Sequence, residues 1–123
     1  MLEAPYRSED IPGHDTGYIP FPPDFLFACK HDLLDAWVRL FRHSERTGLI
    51  ADTTYTDIHE AIHRSISAVR RDCLRLHEAG WVTLLPTDSY PRQHVVLHMS
   101  FADSAAFRTA HGIELAPGTD TSQ

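Results

Sequence analysis

The hydrophobic period of the chain changes at Gly80 from about 3.6 to near 2, and that change constrains the fold more than any other feature. Before it, apolar residues recur every three or four positions: Leu33, Leu34, Trp37, Val38 and Phe41; then Ile58, Ala61 and Ile62; then Ile66, Val69, Cys73 and Leu76. That spacing lines one face of a helix three times over. After Gly80, WVTLL and HVVLHMSF alternate with a period near two on either side of the polar PTDSYPRQ, the pattern of a β-hairpin with a loose tip. Helices followed by a hairpin within 123 residues predict an α+β chain with one core.

The boundaries follow from local chemistry. The first helix runs from Asp32 to about Arg46, with Asp35, Arg39, Arg42 and Glu45 on its polar face and Gly48 as its C-terminal glycine. Thr53 or Thr54 caps the second, with Asp57 in the first turn where the helix dipole favours an acid. Ser65 caps the third and Gly80 closes it. Three prolines in YIPFPPDFL, residues 18–26, forbid a helix and leave an extended or edge segment. Residues 1–17 are expected to form a flexible N-terminal segment and residues 116–123 a disordered tail, which would leave a domain over 18–115. Within it, ADSAAFRTAHGIEL makes a further short helix with Ala105, Ala106 and Phe107 as its apolar part.

The formal charge of −6 is unevenly spread. Residues 1–35 carry seven acids against two bases, whereas residues 64–75 carry Arg64, Arg70, Arg71 and Arg75 against Asp72 alone. Ten of the eleven cations are arginine, whose planar fork suits phosphate oxygens and guanine edges. No apolar run reaches the roughly 20 residues of a membrane span. MLEAPYRSED has neither the basic start nor the apolar stretch of a secretory signal, so a cytoplasmic, nucleoid-associated protein is expected. Cys29 and Cys73 form no C-x-x-C pair and read as small core residues.

HEAIH at 59–63 matches the H-E-x-x-H of zinc hydrolases, in which two histidines one helical turn apart share a metal and the glutamate activates its water. The extended form needs Gly at 66 and His at 69, where this chain has Ile66 and Val69. His94 and His98, four apart on a strand, would stand roughly 13 Å from each other, too far to share a metal, and read as surface or hairpin residues. No G-x-S-x-G elbow or glycine-rich phosphate loop is present, so no enzyme, cofactor or metal is expected.

TDIHEAIHRSISAVRRDCLRLHEAGWV, with a helix before it and a hairpin after it, resembles the winged helix-turn-helix family. The matching stretch runs from Tyr55 to about Ser100. FPPDFL and GLIADTTYTDI also look like the N-terminal domains of plasmid or phage replication initiators. The family's frequent turn glycine is replaced by His63, a residue type that tolerates positive φ.

The resemblance implies a three-helix core with a hairpin wing, and sequence-specific binding of double-stranded DNA by a transcriptional regulator or initiator-type module. The recognition helix would span about 65–79 and the wing about 86–94. Ser65, Ser67 and Ala68 would allow close approach to the major groove, one of Arg70 and Arg71 would read a base, and Arg64 and Arg75 would flank the phosphates. Tyr90, Arg92 and Gln93 would sit at the wing tip. A homodimer is expected, with the first helix and the 18–26 segment or the C-terminal helix at its interface, and Trp37 and Phe107 as candidate contributors. The alternatives are a winged-helix protein-interaction module and a small H-E-x-x-H zinc hydrolase.

Overall fold

The apolar stripe that starts at Leu33 becomes the first helix of a computed structural model, which describes residues 31–45, 47–89 and 91–114. Among the described residues there are four helices and three strands: α1 (His31–His43), β1 (Leu49–Thr53), α2 (Tyr55–Ile62), α3 (Ile66–Ala79), β2 (Val82–Pro86), β3 (Gln93–Leu97) and α4 (Phe101–Ala110). The strands form one antiparallel sheet in the order β1-β3-β2. The α+β class is as the change of period implies, and the layout is compatible with a winged helix. The 18–26 segment, Cys29, Tyr90 and the tail lie outside the described residues.

Three helices and one face of the sheet enclose the core. Trp37 and Phe41 of α1 stack with centroids 4.8 Å apart, and they are buried with Ile58 of α2, with Val69, Cys73 and Leu76 of α3, and with Val82, Val95 and Leu97 of the sheet. Burying one such side chain contributes about 1.5–3 kcal/mol. Thr54 and Asp57 make a complete capping box at the start of α2. Ser65 accepts the Ala68 N–H at the start of α3, and Gly80, in the left-handed region at φ 84°, ends it. In α2 the buried residue is Ile58, with Ile62 half-buried, whereas Ala61, expected on the apolar face, is exposed.

Two expectations about the 44–53 region are corrected. Helix α1 stops at His43, short of Gly48: the Ser44 hydroxyl donates to the Phe41 carbonyl (2.6 Å) and accepts the Gly48 N–H (3.2 Å), while Glu45 turns left-handed at φ 58°. Gly48, at φ 78°, therefore leads into a strand that the sequence did not reveal. The reason is a bulge. Ile50 pairs with Val95 and Thr53 with Gln93, so β1 holds one more residue than its partner. Asp52 sits there at φ 51°, its N–H donated to His94 Nδ1 (3.0 Å) and its carbonyl accepting Arg92 Nη1 (2.7 Å). The extra residue breaks the two-residue alternation that would have marked a strand.

Helix α4 departs from expectation in another way. Ala106 is exposed, and the residues α4 buries are Ser104 and Arg108. Arg108, 1% exposed, donates from Nε to Thr83 Oγ1 (2.9 Å) and from Nη2 to the carbonyls of His77 and Val82 (2.7 Å each). Thr83 and His98 bond to each other at 2.8 Å. His98 is thus a buried residue, 2% exposed, and not the surface or hairpin residue its spacing suggested. Phe107 is half-buried, between the rings of His98 and His111. Trp37, the other aromatic considered for an interface, lies entirely in the core.

Candidate nucleic-acid interface

The turn between α2 and α3 decides what HEAIH means geometrically. His63 ends α2 in the left-handed region (φ 58°, ψ 42°), its N–H donated to the His59 carbonyl, as a sharp helix-helix turn without glycine requires. The chain leaves the helical path there, so His63 is not one helical turn beyond His59 on a continuing helix. The His59 ring pairs through Nδ1 with the Arg64 carbonyl instead. Among the described residues no three of His, Cys, Asp and Glu gather in a way that would hold a metal ion.

Helix α3 buries Val69, Asp72, Cys73 and Leu76 and turns its other side outward. Ser65, Ser67, Arg70, Arg71 and Arg75 are exposed, and Ala68 is half-buried. The Ser65 hydroxyl is committed to capping, since it accepts the Ala68 N–H at 3.2 Å. Ile66 is a correction to the apolar face read from the sequence. Its helical phase puts it beside Cys73, but at the first residue of α3 it lies past the packed layer and remains 45% exposed. Leu74 is 41% exposed. These two are the exposed large hydrophobic residues among those described.

Ile66, Arg70 and Leu74, spaced by four, form a ridge between two hollows. One, of about 500 Å³, is lined on its far side by Thr54–Thr56 at the start of α2 and by Pro86, Pro91, Arg92 and Gln93 of the hairpin. The other, of about 670 Å³, is bounded by Ser67, Arg71 and Arg75. Arginine thus stands on both flanks.

The electrostatics are more balanced than the sequence suggested. Arg64 pairs with the largely buried Asp72 at 3.1 Å, and Arg71 approaches the same carboxylate at 3.6 Å. Arg75 meets Asp32 of α1 at 2.8 Å and holds that carboxyl below its ordinary range. Arg92 lies 3.9 Å from Asp52 and 3.7 Å from Asp57, and its bond to the Asp52 carbonyl ties the hairpin to β1. Gln93 pairs with Thr53 and Pro86 across the ladders. Four aspartates, remote from one another in sequence except Asp52 and Asp57, therefore pair with four of the five arginines. Arg70 is the one of the five with no ion-pair partner among the described residues. Exposed pairs of this kind contribute only about 0–1 kcal/mol, so they can exchange partners readily; Arg64 is less exposed and pairs with the buried Asp72, while its Nε is buried without a hydrogen bond among the described residues.

Neither protein-family models nor curated proteins nor solved structures give a match to the chain. Among the described residues no helix is long and apolar enough to cross a membrane.

Proposed function

We propose that the chain is a winged-helix protein that binds double-stranded DNA, with α3 as the recognition helix in the major groove and the 86–94 hairpin as the wing. The observation that carries this reading is the α3 ridge with arginine-bearing hollows on both sides. A ridge of helix width entering a groove roughly 12 Å wide brings its flanks to the two phosphate strands. Arg71 and Arg75 face one strand and Arg92 the other, Arg75 and Arg92 exchanging the exposed Asp32 and Asp57 for phosphate and Arg71 leaving its longer contact with Asp72. Arg70, on the ridge, reads a base edge. Binding, not catalysis, is the activity, exercised by a homodimer whose two recognition helices lie about one DNA turn apart. Such a dimer would serve as a transcriptional regulator or replication-initiator module at the nucleoid.

The test is fluorescence anisotropy with a random-sequence duplex between 50 and 200 mM salt. Each phosphate neutralised contributes about −0.9 to the slope of log affinity against log salt, so the phosphate-facing Arg71, Arg75 and Arg92 set a limit of about −2.7 per subunit and about −5.4 for the dimer. A slope of about −3 to −5 that becomes shallower in Arg71→Ala and Arg75→Ala is the expected result. Binding too weak to measure at 50 mM salt would overturn the proposal.

A second reading, a protein-interaction module, is favoured by the exposed Ile66 and Leu74 and by the pairing of four of the five arginines. Association with a protein through that ridge would be nearly independent of salt, which distinguishes the two.

A further inference from the structure

We infer that Ile66 is a specificity-determining residue that reads the 5-methyl group of a thymine, beside a guanine read by Arg70. This rests on the duplex-binding reading above and adds the identity of the bases recognised.

The argument is one of chemical matching. Ile66 is the first residue of α3, at the end of a recognition helix that contacts base edges. It is 45% exposed and shares the ridge with Arg70. Base edges in the major groove present donors and acceptors, with one apolar group among them, the thymine methyl. A branched aliphatic side chain aimed at that surface has this single favourable partner. Against any other base it would bury a donor or acceptor without a hydrogen bond.

Arg70 lies four residues on, a rise of about 6 Å along the axis. That is close to two base-pair steps of about 3.4 Å. Its guanidinium has no ion-pair partner among the described residues, so it can meet guanine O6 and N7 with both arms of its fork without first giving up a carboxylate. The neighbouring groups do not compete: Ser65 is occupied as the cap and Ser67 is short. A thymine and a guanine about two steps apart is therefore the expected centre of each half-site.

The experiment begins with a duplex selected from a random pool by the full-length protein. Each thymine is then replaced singly by deoxyuridine, which removes only the methyl group. Affinity should fall about fourfold at one or two positions, the factor that corresponds to burying one methyl. In Ile66→Ala the same replacements should have no effect, whereas Arg70→Gln should lose discrimination for guanine and keep the methyl effect. Ile66 is outside the core, and circular dichroism of the Ile66→Ala protein checks that it is folded. The deoxyuridine series on the unaltered protein needs no variant at all. Equal affinity for every deoxyuridine duplex, or a methyl effect that persists in Ile66→Ala, overturns the inference while leaving DNA binding intact. Failure to enrich any duplex overturns the DNA-binding reading itself.

Discussion

Acid should unfold this protein earlier than its carboxylates alone would dictate, because two histidines are packed around a buried arginine. The Thr83 hydroxyl accepts from Arg108 Nε at 2.9 Å and is bonded to His98 Nε2 at 2.8 Å. His77 Nδ1 accepts the Leu84 N–H at 3.1 Å. His77 must be neutral at Nδ1 for its bond to exist, and protonation of either ring would place a second positive charge beside Arg108. Burial, then Arg108, push the His98 pKa down from 6.5 to about 3, and they lower His77 in the same direction. A depressed folded-state pKa means the unfolded chain takes up the proton first as pH falls. Stability is therefore intact above about pH 6.5 and is lost progressively down to about pH 3. At 1.36 kcal/mol per pH unit for one proton, His98 alone removes about 2 kcal/mol by pH 5 and about 4 kcal/mol by pH 3.5. Against a total stability of about 5–15 kcal/mol for a small domain, that is a large share. Urea denaturation at pH 7.5, 6.0 and 5.0 measures it. The wild-type midpoint should fall across this range, and His98→Gln, which keeps an acceptor for Thr83 but does not titrate, should flatten most of the fall. A wild-type midpoint that does not move between pH 7.5 and 5.0, or an unchanged slope in His98→Gln, would refute the reasoning.

Three further outcomes are expected. Arg108→Ala should destabilise the fold by about 3 kcal/mol, because the carbonyls of His77 and Val82 and the Thr83 hydroxyl lose their donor in a buried place; a urea-midpoint change equivalent to less than 1 kcal/mol would contradict the clamp. At the left-handed turn, His63→Val should lower stability by about 1–2 kcal/mol while His63→Gly should not lower it at all, since a branched Cβ opposes positive φ and glycine does not. Thermal melts of the pair decide this, and equal losses would argue against strain. The Cys73 thiol, pushed up to about 12 chiefly by burial, should resist iodoacetamide at pH 8 in the native state and react on unfolding, as peptide mapping would detect.

The three-helix core and the hairpin were legible because they rest on local periodicity. Leu33, Trp37 and Phe41, or Val69, Cys73 and Leu76, reveal a helix face wherever they occur, and Thr54, Ser65 and Gly80 act within a few residues of themselves. The positive φ of His63 was likewise implied by a turn that had to be made without glycine. Strand β1 was not legible, because it is a strand only by pairing with β3 and its bulge removes the alternation. The roles of His98 and Arg108 were hidden for the same kind of reason. Nothing near Arg108 in sequence indicates that it will reach the carbonyls of His77 and Val82, 31 and 26 residues away.

The candidate interface divides in the same manner. The sequence by itself placed Ser65, Ser67, Arg70, Arg71 and Arg75 on one helix and Arg92 on one hairpin. Only the tertiary structure set Asp32, Asp52, Asp57 and Asp72 against the arginines, left Arg70 without a partner among the described residues, and exposed Ile66 at the end of a helix whose periodicity had assigned it to the core. Periodicity is a property of one helix turning on itself, whereas burial and charge pairing depend on which other elements come alongside, and that is settled only when the whole chain packs.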